Sequence, residues 1–310
     1  TSRVRDQWHT MTRTARAPEL CRHAPEPVLE LNLADAEALE VSDGALVEVK
    51  TPSGTGIFAA SVTATVRPGV ASVPMHWTDA FAPAGRANAL TGSDCDPESG
   101  QPEFKHASAR LRAFGETWRG FAVVRAEQID WPKGVVWRRT PFAAAQVFEI
   151  AGRGGAGQRN AVIAAALGAV EGETLALDDD ARAVVRRAVV AGDRLDAAVF
   201  IGPATASLPP CAWIADRFAD AALSPADRAA LLLGRSVDAP DEGALVCACM
   251  GVGRKRIDAA ITDGADSVDA IGEATAAGTS CGSCRPELAR FLAAAKSEPS
   301  KVAAEVSDAA

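Results

Sequence analysis

The chain has 310 residues, 48% hydrophobic and 23% charged, which is enough for two or three domains that bury their own cores and too apolar for wholesale disorder. A formal net charge of −8 argues against a general nucleic-acid or anionic-membrane surface, because the mean field repels a polyanion. Any phosphate site must be local, and no apolar run approaches the roughly 20 residues that cross a bilayer.

The first 22 residues run against that net charge. Arg3, Arg5, Arg13, Arg16 and Arg22 stand against only Asp6 and Glu19, interleaved with Trp8, His9, Thr10, Thr12 and Thr14. Arg forks and hydroxyls suit phosphate oxygens, and a flat Trp can cover a heterocycle. From composition alone, a solvated basic surface strand is the simpler reading. The opening TSRVRDQWHTMTRT has no initiator Met, no charged-then-apolar signal pattern and no twin-Arg motif, and it reads as sequence entered in mid-protein.

From Pro27 to Val73 strand and turn signals are dense. Asn32 or Asp35 starts a short helix across Ala36 to Leu39, which Ser42-Asp43-Gly44 breaks. Strands follow over Ala45 to Lys50, Gly56 to Val66 and Val70 to Pro74, separated by turns at Pro52-Ser53-Gly54 and Arg67-Pro68-Gly69. Short strands closed by Gly and Pro turns suggest a β-barrel, with Val47, Val49, Val62 and Val66 in its core.

Between Glu116 and Gly243 a hairpin is predicted over Ala183 to Val190 and Leu195 to Ile201, turning at Ala191-Gly192-Asp193, and Ser224-Pro225 starts a helix. Gly152, Gly154 and Gly157 match the spacing of a dinucleotide-binding turn. A hairpin rather than a second parallel strand follows, so Ala151 to Gly157 is read as a flexible loop or linker.

The last 65 or so residues change character. Helices are marked over Arg254 to Asp263, ended by Gly264; over Val268 to Ala277, capped by Ser267 and ended by Gly278; and over Pro286 to Ala295. Ile257, Ala260 and Ile261 share one face, as do Leu288, Phe291 and Leu292. Two of the seven cysteines, Cys247 and Cys249, precede the first of these helices, and Cys281 and Cys284 precede the last. Four soft thiolates select an iron–sulfur cluster or zinc, and a C-x-C pair is unusual among zinc knuckles. Backbone N–H groups at the helix starts can face cluster sulfurs. Cys21, Cys95 and Cys211 each stand alone and read as packed or inert thiols. A cysteine set of this kind suits a reducing compartment, and the cytoplasm is expected.

The runs VCACMGVGRKRIDAAI and GTSCGSCRPELARFL resemble the bacterioferritin-associated-ferredoxin-like 2Fe-2S domain, and the resemblance makes Cys247, Cys249, Cys281 and Cys284 the cluster ligands. RVRDQWHTMTRT, the barrel after it and ALTGSDCDPESGQPEFK resemble the molybdopterin-guanine-dinucleotide-binding domain that closes the catalytic subunit of molybdenum oxidoreductases. The pairing of the two domains resembles bacterial assimilatory nitrate reductases.

That resemblance implies a cofactor surface. Arg3 belongs to the matched run; Trp8, His9, Thr10, Thr12 and Arg13 would hold the pterin and its phosphates; Asn88 and Lys105 would bind the dinucleotide farther on. His76 and Trp77 would turn toward the active-site funnel. The architecture it implies is mainly β with α: a double-psi β-barrel over 1–115, a β-rich middle segment and linker over 116–243, a small all-α 2Fe-2S domain over 244–296 and a disordered tail over 297–310.

The implied activity is reduction of nitrate to nitrite by a molybdenum enzyme. Its cofactors would be Mo-bis-molybdopterin guanine dinucleotide, shared with a missing part of the enzyme; the 2Fe-2S cluster; and a 4Fe-4S cluster in that missing part. Its partners would be nitrate and an electron-donor protein or flavoprotein subunit, with no nucleic acid and no membrane. No residue here is a candidate molybdenum ligand and the catalytic residues are unassigned, so the isolated segment is expected to be inactive. The rival readings are another member of the superfamily, such as a formate dehydrogenase, and a non-catalytic iron–sulfur electron-transfer module.

Overall fold

The computed structural model describes residues 1–8, 15–168, 170–234 and 241–297. The chain divides into two compact units, Thr1–Ala239 and Pro240–Ala310.

The first unit opens with a one-turn helix, α1 (Pro18–Cys21), and continues through β1 (Val28–Leu31), α2 (Leu33–Ala38), β2 (Leu46–Lys50), β3 (Thr55–Val62), β4 (Ala71–Ser72) and β5 (Arg110–Ala113). Asn32 caps α2, its side chain accepting from the Ala34 N–H, as its place before the helix predicts. The strands order as β4-β1-β3-β2-β5. β1 runs parallel to β3, with Val28 opposite Ala59, while β2 forms hairpin pairs with β3 and antiparallel pairs with β5. Among the described residues β4 and β5 are not paired with each other. Leu29, Leu31, Val47, Val49 and Phe58 fill the core of this sheet. Val62 and Val66, expected there, are only half-buried, because β3 leaves its ladder at Val62 and the chain beyond follows the surface.

The stretch after Gly115 forms a second sheet: β6 (Trp118–Val124), β7 (Val136–Pro141), β8 (Gln146–Gly152), α3 (Ala156–Leu167), β9 (Glu173–Asp179), β10 (Val184–Ala191) and β11 (Arg194–Pro203), then α4 (Cys211–Arg217) and α5 (Pro225–Ala230). Its order is β7-β8-β6-β11-β10-β9, with every pairing antiparallel. Helices cover both faces. On one, Phe121, Ala198 and Phe200 pack with Ile214 and Phe218 from the α4 region; on the other, Trp118, Ala197, Val199 and Ile201 pack with Val162 and Ile163 of α3. A central strand covered on both sides must be apolar at successive positions, which explains the unbroken run from Ala197 to Ile201. The predicted hairpin is β10–β11, turning at Gly192 with φ +61°, and Ser224 caps α5 by accepting from the Asp227 N–H.

Ala151 to Gly157 is not a flexible loop. Ala151 and Gly152 end β8, paired with Val136 and Trp118, and α3 begins at Ala156, so the connection is three residues long. The two sheets also share a core, in which Leu46, Ala59 and Phe114 meet Val136 and Ala151.

The second unit comprises β12 (Leu245–Cys247), β13 (Val252–Gly253), α6 (Arg254–Thr262), α7 (Val268–Thr275) and α8 (Arg285–Ser297). It is not all helical, because Cys247 pairs with Val252 in a minimal antiparallel ladder. Ser267 caps α7 as predicted, but the helix ends at Ala276 with φ +68° rather than at Gly278. Val246, Ile257, Ile271, Leu288 and Leu292 form its core, each large side chain contributing about 1.5–3 kcal/mol by burial. Of the tail expected over 297–310, Ser297 ends α8 and residues 298–310 lie outside the described residues. No helix among the described residues is long and apolar enough to cross a membrane.

Candidate metal centre and cofactor-binding surface

The second unit brings its four paired cysteines together. β12 ends on Cys247, the following turn carries Cys249, and Gly251, with φ +66°, reverses the chain so that Val252 can pair back. Cys281 and Cys284 bracket Gly282, which has φ +75°. Cys284 sits at the start of α8, its carbonyl accepting from the N–H groups of Glu287 (2.9 Å) and Leu288 (3.0 Å). The Sγ atoms of Cys281 and Cys249 are 3.4 Å apart, and those of Cys249 and Cys247 are 3.8 Å apart. Cys247 is hydrogen-bonded in turn by the Cys284 thiol.

The four sulfurs thus form a string of neighbours. Among the described residues no group of three or more His, Cys, Asp or Glu side chains is already arranged as a metal-holding cage. The Cys284 thiol, with the backbone N–H groups of Gly278 and Met250, pushes the Cys247 thiol down to about 5, into the thiolate range a soft metal requires. Burial pushes the neighbouring Cys249 up to about 11, so Cys247 is the first of the pair to ionise. Cys247 and Cys284 are 1% and 2% exposed, whereas Cys249 and Cys281 are half-buried. Donor type, number and proximity all fit an iron–sulfur cluster.

The candidate pterin contacts fall in separate places. Lys105 lines an open groove of about 820 Å³ on the first sheet, together with Thr1, Leu31, Val49 and Leu111. The Thr1 backbone nitrogen donates to the Lys105 carbonyl at 3.1 Å, and the Thr1 hydroxyl donates to that of Phe104 at 2.9 Å. Asn88 is exposed on a single turn, Ala87–Ala89, whose neighbours Ala87, Leu90 and Thr91 line the same groove. Arg3 is exposed, next to the bridge that joins Ser2 to Pro74.

His76 and Trp77 lie on the other side of that bridge. His76 is 4% exposed and its Nε2 accepts from the Val4 N–H at 3.1 Å. Trp77 packs with Phe81 and Ala82, and both buried rings line a small pocket with Gln7, Cys21 and Arg139, apart from the groove at Lys105. Trp8 is 48% exposed. His9, Thr10, Thr12 and Arg13 lie outside the described residues.

Sequence reasoning passed over Asp6, which is 5% exposed and has φ +66°. Its carboxylate accepts from Arg5 Nε at 3.2 Å and lies 3.2 Å from His23 Nδ1, tying the segment before Trp8 to the chain after α1. Nothing local in sequence pairs residue 6 with residue 23. The isolated cysteines differ among themselves. Burial pushes the Cys21 thiol up to about 11 and that of Cys211 up to about 12, as inert packed thiols require, whereas Cys95 is exposed.

The glycines at 152 and 154 serve packing. A Cβ at Gly152 would lie 2.4 Å from Gln158 Oε1 and 2.5 Å from the Trp118 ring, and one at Gly154 would meet the Gln158 side chain at 2.7 Å. Gln158 therefore occupies the space against which a dinucleotide-binding turn would lay its phosphates.

Comparison with known proteins finds family matches in both units. Residues 1–108 match a family model described as "Molydopterin dinucleotide binding domain", and residues 245–294 match one described as "BFD-like [2Fe-2S] binding domain". A nitrate reductase from Klebsiella oxytoca is 34% identical over 297 residues, which is 94% of this chain and 33% of that protein. A periplasmic nitrate reductase from Desulfovibrio desulfuricans is 36% identical over 36% of this chain and 14% of its own length. A formate dehydrogenase alpha subunit from Methanocaldococcus jannaschii is 31% identical over 36% of this chain and 16% of its own. The chain spans about a third or less of the length of these relatives. It joins a molybdopterin dinucleotide-binding domain to a BFD-like 2Fe-2S domain and is a homologue of nitrate reductases over 94% of its length.

Proposed function

We propose that the chain is part of a molybdenum-dependent assimilatory nitrate reductase of the cytoplasm, holding the dinucleotide end of the pterin cofactor and a 2Fe-2S cluster through which electrons reach it. Residues 1–115 form the pterin module, with Arg3, Trp8, His9, Thr10, Thr12, Arg13, Asn88 and Lys105 as contacts and His76 and Trp77 packed behind them. Residues 116–243 form the scaffold against which that module packs. Residues 244–296 hold the cluster on Cys247, Cys249, Cys281 and Cys284. When bound, the molybdenum cofactor supplies oxygen removal from nitrate and the cluster supplies single electrons, while the protein binds, orients and tunes them.

One observation carries this reading. The Klebsiella nitrate reductase aligns across 94% of the chain, through the middle sheet and the cluster unit alike, whereas the formate dehydrogenase aligns over 36%. The discriminating experiment is to assay the intact enzyme that contains this chain with nitrate and with formate, using viologen dyes as donor or acceptor. Nitrate reduction without formate oxidation is expected; the converse would replace this proposal with the formate dehydrogenase reading. The 310-residue chain alone should reduce no nitrate above the background of free cofactor.

A further inference from the structure

The seam between the two sheets of the Thr1–Ala239 unit contains a charge cluster separate from the candidate cofactor contacts. Glu26, in the loop before β1, meets Arg138 of β7 with Oε2 2.5 Å from a terminal guanidinium nitrogen. From β8, Glu149 approaches the same guanidinium, its Oε2 3.6 Å from Nε. Both Oε2 atoms are buried, although 24% of the Glu26 side chain and 30% of that of Glu149 reach solvent. The seam closes beside them, Thr140 Oγ1 donating to the Pro25 carbonyl at 3.0 Å and the Arg139 N–H donating to that of Phe81 at 2.7 Å.

Other cations nearby have partners of their own. Arg119, at the start of β6, donates from Nε to Glu116 at 2.9 Å. Arg22 pairs with Asp216 of α4 at 3.4 Å, and the guanidinium of Arg139 lies over the Phe81 ring and donates to the Glu127 carbonyl. The Cys211 thiol of α4 is held protonated by burial. Two carboxylates thus converge on one unshared guanidinium, leaving one negative charge in excess where oxygens are cut off from water, and protonating one carboxyl removes that cost.

We propose that the Glu26 carboxyl carries a proton beside Arg138 and Glu149, which makes the docking of the six-stranded sheet onto the loop before β1 a device that loosens when the proton is lost. Burial, opposed by Arg138 and reinforced by Glu149, pushes the Glu26 carboxyl up to about 7 from an ordinary 4.5. A carboxyl raised in the folded state stabilises it fully below the unfolded value, and that stabilisation is lost as pH rises through the folded value. The window therefore runs from about pH 4.5 to just above pH 7.

The test follows thermal unfolding by tryptophan fluorescence from about pH 5 to about pH 8. All six tryptophans lie in the first unit, so the signal reports on this seam. The unaltered chain should melt several degrees lower at the upper end of that range. Glu26→Gln removes the titrating group, and Glu149→Gln leaves Glu26 alone with Arg138; each should abolish most of the fall. An infrared titration should show one protonated-carboxyl band that disappears near neutral pH in the unaltered chain and is missing in Glu26→Gln. The same fall in all three proteins, or no such band, would overturn the proposal. If either variant fails to fold, the infrared titration of the unaltered chain and the melting profile of the other variant decide it.

Discussion

Replacing Gln158 with Ala tests whether the glycine-rich turn after β8 is a packing device. Gln158 Oε1 accepts from Trp118 Nε1 at 3.1 Å and from the Gly154 N–H at 2.8 Å, while its Nε2 donates to the Lys133 carbonyl at 3.1 Å. Trp118 is 1% exposed, so its indole N–H has no route to water when the acceptor is removed. An orphaned buried donor costs about 1–3 kcal/mol, and a partly buried one such as Gly154 N–H costs less. Gln158→Ala should therefore destabilise the first unit by about 2–4 kcal/mol. Gln158→Glu keeps an oxygen for both donors and loses only the bond to Lys133, so about 1 kcal/mol is expected. Urea unfolding monitored by tryptophan fluorescence, with the slope unchanged and the midpoint lowered, measures both values. A cost below about 1 kcal/mol for the Ala variant would refute the packing account. So would a midpoint raised by added nicotinamide dinucleotide in the unaltered chain.

Purified anaerobically, the chain should carry about two irons and two sulfides and give a rhombic paramagnetic signal on reduction. Stoichiometric zinc in protein produced with ample iron would contradict the cluster assignment. Cys284→Ser in the intact enzyme should abolish the cluster and nitrate reduction driven by the physiological donor, while sparing most viologen-driven activity; equal loss with both donors would make the unit structural. With thiols held near 11 and 12, Cys21 and Cys211 should stay unmodified by iodoacetamide at mildly alkaline pH under native conditions. Cys95 should be alkylated, and mass spectrometry of the digested protein distinguishes them.

Features set by neighbours in sequence were legible. Asn32 before α2, Ser224 before α5, the turn at Gly192 and both cysteine pairs require only a few adjacent residues to make their chemistry plain. Features set by distant partners were not. Nothing in residues 28–31 announces that β1 pairs in parallel with β3, nor does Ala151 by itself reveal that it shares a core with Leu46 and Phe114. The glycine spacing at 152–157 reads as a loop in sequence because Gln158 gains its packing role only once a sheet pairing brings Trp118 beside Gly152. Among the candidate cofactor contacts, Lys105 lines one groove and Asn88 sits on the turn whose neighbours line it, whereas His76 and Trp77 are buried elsewhere.

In the second unit the ligands differ in depth. Cys247 and Cys284 are members of the hydrophobic core, whereas Cys249 and Cys281 lie at its margin. A cluster held by all four sulfurs is therefore reached from one side only. Chelators and oxidants meet the outer sulfurs first, so the order in which its bonds are attacked is set by the packing around Ile257 and Leu288. A metal arriving from that side would meet Cys249 and Cys281 before the buried Cys247 and Cys284. Substitutions at Ile257 or Leu288 would then change how fast such a centre loads by altering the depth of its two inner thiols, without touching a ligand.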